Sequence, residues 1–330
     1  MTDARHEPVL LTETIEALAI KQGDTVLDAT LGGAGHFEAL LSKLGEGGVI
    51  IGIDADPAAV ERARKTYALD RRPERPVAHL VNDNFRNLGR ILERLGAGQI
   101  DAALFDLGWS GFQLAEPRGF SFQRDEPLLM TYDGEGSGTA ADIVNSASEN
   151  ELADLIYAYG EERFARGIAR AIVARRSKDR ILTTGALVEA VLAGTPGWYH
   201  EGKTHPATRT FQALRIAAND ELNALREGLD AALQALAPGG RLAVITFHSI
   251  EDRIVKNLLR DSAQSGCGTV RTKKPIVPTR PEILRNRRAR SAKLRLFERQ
   301  SADRRTGTSL DESVSDGLAS SLGAATPAYV

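Results

Sequence analysis

The stretch Val26-Leu27-Asp28-Ala29-Thr30-Leu31-Gly32-Gly33-Ala34-Gly35-His36 carries an apolar run into an acid, a glycine-rich turn and a helical pattern. Eighteen residues after His36, a second apolar run, Gly48-Val49-Ile50-Ile51-Gly52-Ile53, ends at Asp54. On an α/β sheet, a glycine-rich turn followed about 20 residues later by an acid holds an adenosine-containing cofactor. The turn lets the backbone approach the ligand, and the acid accepts the ribose hydroxyls. A dinucleotide site would read Gly-x-Gly-x-x-Gly, but Thr30 stands where its first glycine belongs. No Lys-Ser/Thr follows, which excludes a P-loop. An acid at Asp28 repels a pyrophosphate and suits a ligand carrying an ammonium and a sulfonium. The turn therefore favours S-adenosyl-L-methionine over NAD, with an unliganded strand–helix turn as the plainer alternative.

Two further strand ends carry chemistry. Leu104-Phe105-Asp106 leads into Leu107-Gly108-Trp109-Ser110-Gly111-Phe112-Gln113. An acid at that place can accept hydrogen bonds from an amine, or it can cap the following turn. Ile245-Thr246-Phe247 leads into His248, a candidate substrate contact or base, although a lone histidine is more often structural. His205-Pro206-Ala207-Thr208-Arg209-Thr210-Phe211-Gln212 offers polar and aromatic groups around a helix start. Arg163, Arg166 and Arg170 recur at helical spacing and read more simply as a solvated face.

The elements that must position these groups alternate. Strands are expected at Thr25–Ala29, Val49–Asp54, Val77–Asn82, Ile100–Asp106 and Arg241–Phe247, with helical patterns at Phe37–Leu44, Pro57–Ala68 and Leu88–Leu95. Asp56-Pro57 is a helix start, with Asp as N-cap and Pro at the first helical position. This alternation predicts a parallel, doubly wound sheet with its ligand at the carboxyl ends of the strands. The connection across residues 107–240 far exceeds the roughly 30 residues of a βαβ crossover. Most of the excess reads as a helical insertion, including Glu149–Tyr159 and Glu161–Arg176. Ala207–Ala237 follows as one long amphipathic helix closed by Pro238-Gly239-Gly240. The final stretch, 300–330, is polar and aperiodic and reads as a disordered tail.

The 330 residues are 42% hydrophobic and 26% charged, ordinary for a globular protein with a true core. A single cysteine, Cys267, excludes a disulfide framework and a multi-thiolate metal centre. No apolar run near the N-terminus suggests a signal peptide, and none is long enough to span a bilayer. The expectation is a cytoplasmic protein with no membrane partner and no metal. The net charge of −2 conceals an asymmetry, because Arg271–Arg299 holds eleven Lys/Arg against two acids. A basic segment on an acidic body is the footprint of a phosphate-backbone contact.

These motifs resemble a known family. His6-Glu7-Pro8-Val9-Leu10-Leu11, Gly33-Ala34-Gly35-His36, Arg118-Gly119-Phe120-Ser121-Phe122 and Tyr159-Gly160-Glu161-Glu162-Arg163-Phe164-Ala165 occur in order. They are followed by His205 to Arg215, Leu236 to Leu242, Phe247-His248-Ser249-Ile250-Glu251-Asp252-Arg253 and Arg288 to Arg295. Together they are similar to the MraW/RsmH family of bacterial small-subunit ribosomal RNA cytosine-N(4) methyltransferases, across about residues 6–299. The resemblance implies a Rossmann-like class I methyltransferase with an inserted helical domain. It divides the chain into a methyltransferase domain of 1–113 and 207–299, a substrate-recognition insertion of 114–206, and the tail.

The resemblance also implies S-adenosyl-L-methionine as donor, with Ala34, Gly35, His36, Asp54, Phe85, Asp106 and Gln113 as its contacts. The acceptor it implies is a cytidine of the decoding region of 16S rRNA within the 30S subunit. Asp106 is then the candidate catalytic residue, with His205, Arg209 and His248 on the substrate and Trp109 or Phe112 available to stack on the base. A homodimer is left open. The chain departs from the family pattern at Trp109, Gly111, Phe112, Leu129 and Thr131, all expected to border the acceptor pocket. The competing readings are a ribosome-assembly factor that keeps the fold without catalysis, and an NAD-dependent oxidoreductase.

Overall fold

The computed structural model describes residues 8–67, 75–108, 111–133 and 138–301. Seven strands form one sheet in the order β3-β2-β1-β4-β5-β7-β6. They are β1 (Thr25–Asp28), β2 (Val49–Asp54), β3 (Val77–Asn82), β4 (Ile100–Asp106), β5 (Leu236–Thr246), β6 (Gly268–Val270) and β7 (Lys293–Arg299). Strands β1 to β5 pair in parallel, whereas β7 runs antiparallel to β5 and β6 antiparallel to β7. The order reverses between β1 and β4, which opens the crevice where a doubly wound sheet binds its ligand.

Successive side chains along a strand point to opposite faces, and here both faces are covered. Val26, Ile50, Leu104, Ala243 and Ile245 bury on one side, against α1 (Leu11–Leu18), α2 (Gly35–Leu44) and α3 (Pro57–Tyr67). Leu27, Ile51, Phe105, Leu242 and Val244 bury on the other, against α4 (Leu88–Leu95), α12 (Glu221–Ala235) and α13 (Ser249–Gln264). As expected, Asp56 caps α3, its Oδ1 accepting the Ala58 N–H at 3.0 Å.

Between β4 and β5 lie α5 (Gly111–Ala115), α6 (Ala140–Ser146), α7 (Glu149–Gly160), α8 (Ala165–Arg176), α9 (Thr184–Ala193), α10 (Gly197–His200) and α11 (Ala207–Ala218). They enclose a core of their own, from Phe120 and Leu152 to Ile168, Val191 and Leu214. Helix α11 belongs to that core through Ala207, Phe211 and Leu214.

Three expectations change. The single helix over 207–237 is two helices, broken at Asn219-Asp220. The Asn219 side chain donates to the Met130 and Arg215 carbonyls at 2.6 and 2.9 Å and accepts the Tyr132 N–H at 2.9 Å. This competition for backbone groups ends α11, and Asp220 turns left-handed at φ 47°. Strand β5 begins at Leu236 rather than Arg241, with Pro238-Gly239-Gly240 absorbed into a register shift against β4. Strand β7 and helix α14 (Arg280–Arg285) lie inside the stretch read only as a basic segment, and β6 directly precedes it. The tail from 302 onward lies outside the described residues.

Candidate active site

Two adjoining cavities open at the carboxyl ends of the parallel strands. Asp54, Asn84, Phe85 and Gln113 line the first. Pro8, Gly35, His36, Gln212, His248 and Arg288 line the second. Thr30, Gly32, Asp106, Leu107, Gly108 and Glu251 line both and form the wall between them.

In the first cavity, the Asp54 carboxylate accepts the N–H groups of Gly32 at 2.7 Å and Asp56 at 2.8 Å. These bonds tie the end of β2 to the glycine-rich turn. Burial raises the Asp54 pKa to about 6, and the two N–H bonds moderate the rise. Phe85 stands edge-on to Phe105, centroids 5.5 Å apart, and offers an apolar wall. Gln113 is buried on α5. An apolar wall beside an acid and an amide suits an adenosine, so these residues fit S-adenosyl-L-methionine.

At the wall, Asp106 and His36 face each other. His36 Nδ1 lies 3.3 Å from Asp106 Oδ2, and His36 Nε2 lies 3.1 Å from the Val9 carbonyl oxygen. Burial works against a charged imidazole, but Asp106 and, behind it, Asp28 hold the His36 pKa above its ordinary value. The other carboxylate oxygen, Asp106 Oδ1, is buried and has no hydrogen-bond partner among the described residues. The Asp106 N–H donates to Thr30 Oγ1 at 2.7 Å. Thr30 therefore has a structural reason to replace a glycine, because it cross-links the ends of β1 and β4.

In the second cavity, residues 8–10 close one side. A Cβ on Gly35 would meet Pro8 Cγ at 2.3 Å, so only glycine admits the strap there. The Leu10 N–H donates to Glu282 Oε1 at 2.7 Å. His248 is the N-cap of α13, its Nδ1 accepting the Glu251 N–H at 3.3 Å while Nε2 lies 2.9 Å from Glu251 Oε1. Burial opposes the Glu251 carboxylate, yet His248, Arg215 and the Phe247 N–H keep its pKa low. Arg215 bridges onward to Glu221 at 2.8 Å, and Tyr132 donates to Glu221 at 2.7 Å.

The structure brings Gly35, His36, Asp54, Phe85, Asp106, Gln113 and His248 to these cavities. Ala34 lines neither and instead shapes the turn, left-handed at φ 62°. Asp28, read as facing the ligand, is fully buried behind the turn, its Oδ1 accepting the Thr30 N–H at 3.1 Å. Burial, opposed by His36, raises the Asp28 pKa to about 7.

His205 and Arg209 line neither cavity. His205 stacks on Phe122, centroids 4.6 Å apart, and Arg209 donates to the Glu161 carbonyl. Helical spacing turns Thr208, Gln212 and Arg215 toward the second cavity instead. His248 reaches the cavity, but its role as a base gives way to capping, because Nδ1 already accepts a hydrogen bond. Phe112 lies under the Arg62 guanidinium, 4.5 Å from its ring centroid, away from both cavities. Trp109 lies outside the described residues.

The basic segment divides. Arg287, Arg288 and Arg290 line the second cavity. Arg295 is buried, with Nε 2.7 Å from Asp252 Oδ1, Lys293 reaches Asp252 at 3.1 Å, and Arg299 donates to the Gln234 carbonyl at 2.8 Å. Sequence reasoning passed over Asn84, Tyr132 and Glu221, and it met Gln212 and Arg215 only as members of motifs, not as site residues. Only Gln212 and Arg215 carried a signal, their helical register with Thr208. Among the described residues, no helix is long and apolar enough to cross a membrane.

Residues 3–300 match the sequence profile of the MraW methylase family. The chain is 47% identical over 312 residues to ribosomal RNA small subunit methyltransferase H of Carboxydothermus hydrogenoformans, covering 90% of this chain and 98% of that protein. It is 51% identical over 298 residues to the protein of the same name from Deinococcus radiodurans, covering 90% of each.

Proposed function

This chain belongs to the MraW methylase family, and we propose that it methylates the exocyclic N(4) amine of a cytidine in the decoding region of 16S rRNA, acting in the cytoplasm on the 30S subunit. The names of its relatives support the small-subunit RNA as substrate. The donor, S-adenosyl-L-methionine, supplies when bound an electrophilic methyl group on a sulfonium.

The observation that carries the reading is Asp106 in the common wall, with Oδ2 held by His36 and Oδ1 buried without a partner among the described residues. A cytosine amine is a poor nucleophile because its lone pair is delocalised into the ring. Asp106 Oδ1 accepts one amine hydrogen, which favours a pyramidal nitrogen and orients its lone pair. The same oxygen is placed to receive the proton that the amine releases. Asp54 accepts the ribose hydroxyls, and Phe85 packs on the adenine. The base must be unpaired to enter the second cavity, and Arg287, Arg288 and Arg290 hold the flanking phosphates.

The test incubates the protein with labelled S-adenosyl-L-methionine and small ribosomal subunits from a strain lacking the enzyme, then analyses nucleosides by mass spectrometry. The expected product is N(4)-methylcytidine. Donor binding without any product would instead mark a ribosome-assembly factor, and a methyl group on another atom would refute the proposed acceptor.

A further inference from the structure

The helical insertion carries an aromatic cluster at the edge of its own core: Phe164 packs against that core, and Trp198 and Tyr199 stand outside it. Trp198 on α10 is 61% exposed. Beside it, Phe164 stands edge-on to Trp198 and Tyr199, with centroids 5.7 and 4.9 Å away. The Arg163 guanidinium lies 4.8, 4.9 and 5.3 Å from the ring centroids of Phe164, Trp198 and Tyr199.

The support beneath is rigid. Tyr199 donates to the buried Glu162 at 2.6 Å, and Thr195 pairs with His200 at 2.9 Å. The start of α8 and the end of α9 touch backbone to backbone. A Cβ on Gly194 would lie 2.6 Å from Ile168 Cα, and one on Gly167 would lie 2.5 Å from the Gly194 oxygen. This contact fixes α10 against the Arg163-Phe164 corner. A large ring held half in the open on a fixed base is a surface for something flat.

Charge and position say what that is. Residues 163–180 hold seven Lys/Arg against one acid, and Arg163, Arg166 and Arg170 are exposed. Glu161, two residues before Arg163, accepts from Ser249 and from Arg253 at 2.9 Å, and its carbonyl accepts from Arg209. Ser249 follows His248, which lines the acceptor cavity. The cluster is thus joined to that cavity by a bridge of polar contacts. Cationic side chains around a stacking ring are the elements that bind single-stranded nucleic acid without reading its sequence.

We propose that Trp198, backed by Arg163, stacks on an unpaired nucleotide of the RNA acceptor, separate from the nucleotide being methylated. The inference rests on the RNA substrate proposed above. The test compares wild type, Trp198→Ala and Trp198→Phe for binding to deproteinised 16S rRNA and to small subunits, and for steady-state methyl transfer. Loss of one stacked base weakens RNA binding about tenfold. Trp198→Ala should therefore raise KM for the subunit about tenfold, with kcat and donor affinity unchanged, and Trp198→Phe should recover most of the loss. A merely structural role would lower the unfolding midpoint without this split. Unchanged rRNA binding in Trp198→Ala overturns the proposal, as does a loss confined to intact subunits, which would point to a ribosomal protein. Failure of the wild type to form N(4)-methylcytidine overturns the proposed reaction alone, because rRNA binding still reads the stacking contact.

Discussion

His36 places a nitrogen against Asp106 Oδ2 at 3.3 Å and its other nitrogen against the Val9 carbonyl at 3.1 Å, so both ring nitrogens face acceptors. A neutral imidazole has one N–H and satisfies only one of them. The arrangement calls for an imidazolium, in line with the raised His36 pKa. One cation thereby joins three segments, namely the amino-terminal strap, the glycine-rich turn and the end of β4. It also leaves Asp106 aimed, with its other oxygen, Oδ1, without a hydrogen-bond partner among the described residues.

Replacing His36 tests that pair through stability. A histidine whose folded pKa is raised contributes stability that is fully present below its unfolded pKa and is lost as pH rises through the folded value. His36→Gln should cost about 3 kcal/mol near pH 6, the low end for breaking a buried ion pair. The deficit should shrink toward pH 9. Denaturant unfolding at both pH values measures this, and a deficit independent of pH would show that His36 is neutral in the fold.

Asp106→Asn keeps the shape and removes the proposed acceptor for the amine hydrogen. Methyl transfer should fall about 100-fold or more, the lower range for losing a positioned base. Asp106 lines both cavities, so donor affinity must be measured by calorimetry alongside single-turnover rates. A rate within twofold of wild type rules out the role. A loss traced entirely to donor affinity would move Asp106 from the acceptor to the donor.

The proposed contact of Asp54 with the donor ribose predicts a pH dependence of donor binding. The Asp54 pKa stands near 6, above the ordinary carboxylate value of 3.8, because burial outweighs the N–H bonds from Asp56 and Gly32. Only the ionised form is a full acceptor for two ribose hydroxyls. Donor affinity should therefore be flat above pH 7 and fall about tenfold per unit below pH 6. Asp54→Asn should bind more weakly at pH 8 and lose the dependence. An affinity that stays level from pH 5 to 8 in the wild type contradicts this.

The parts of the site legible in the sequence are those set by short-range rules. Val49–Ile53 and Ala102–Phe105 are continuous apolar runs that end in the acids Asp54 and Asp106, and each proves to lie in a strand whose last residue reaches a cavity. The illegible parts depend on partners distant in the chain. Strand β7 is hidden by Lys293 and Arg295, which both pair with Asp252, 41 and 43 residues away. The end of α11 is set by Asn219 reaching the backbone near Met130, 89 residues away. Asp28 sits at the right place in the motif yet is fully buried, because the turn doubles back over it. Whether a strand-end acid faces its ligand depends on that packing, which spacing alone does not encode.

The divided basic segment makes opposite predictions for neighbouring arginines. Arg288 lines the second cavity on a 3-10 turn over Arg287–Ser291, whereas Arg295 is buried on β7 against Asp252. Each phosphate contact to a single strand contributes about 0.7 to the slope of log affinity against log salt. Arg288→Gln should therefore weaken rRNA binding and reduce the slope by about that amount, with the unfolding midpoint unchanged. Arg295→Gln should leave the slope alone and destabilise the fold by about 2 kcal/mol, since Asp252 loses its charge-assisted hydrogen bonds from Arg295 and keeps the one from Lys293. Filter binding from 50 to 300 mM salt, paired with denaturant unfolding, separates the two. If Arg295→Gln reduces the slope as much as Arg288→Gln does, the whole segment acts as one undifferentiated patch, and the assignment of phosphates to the Arg287–Arg290 turn is wrong.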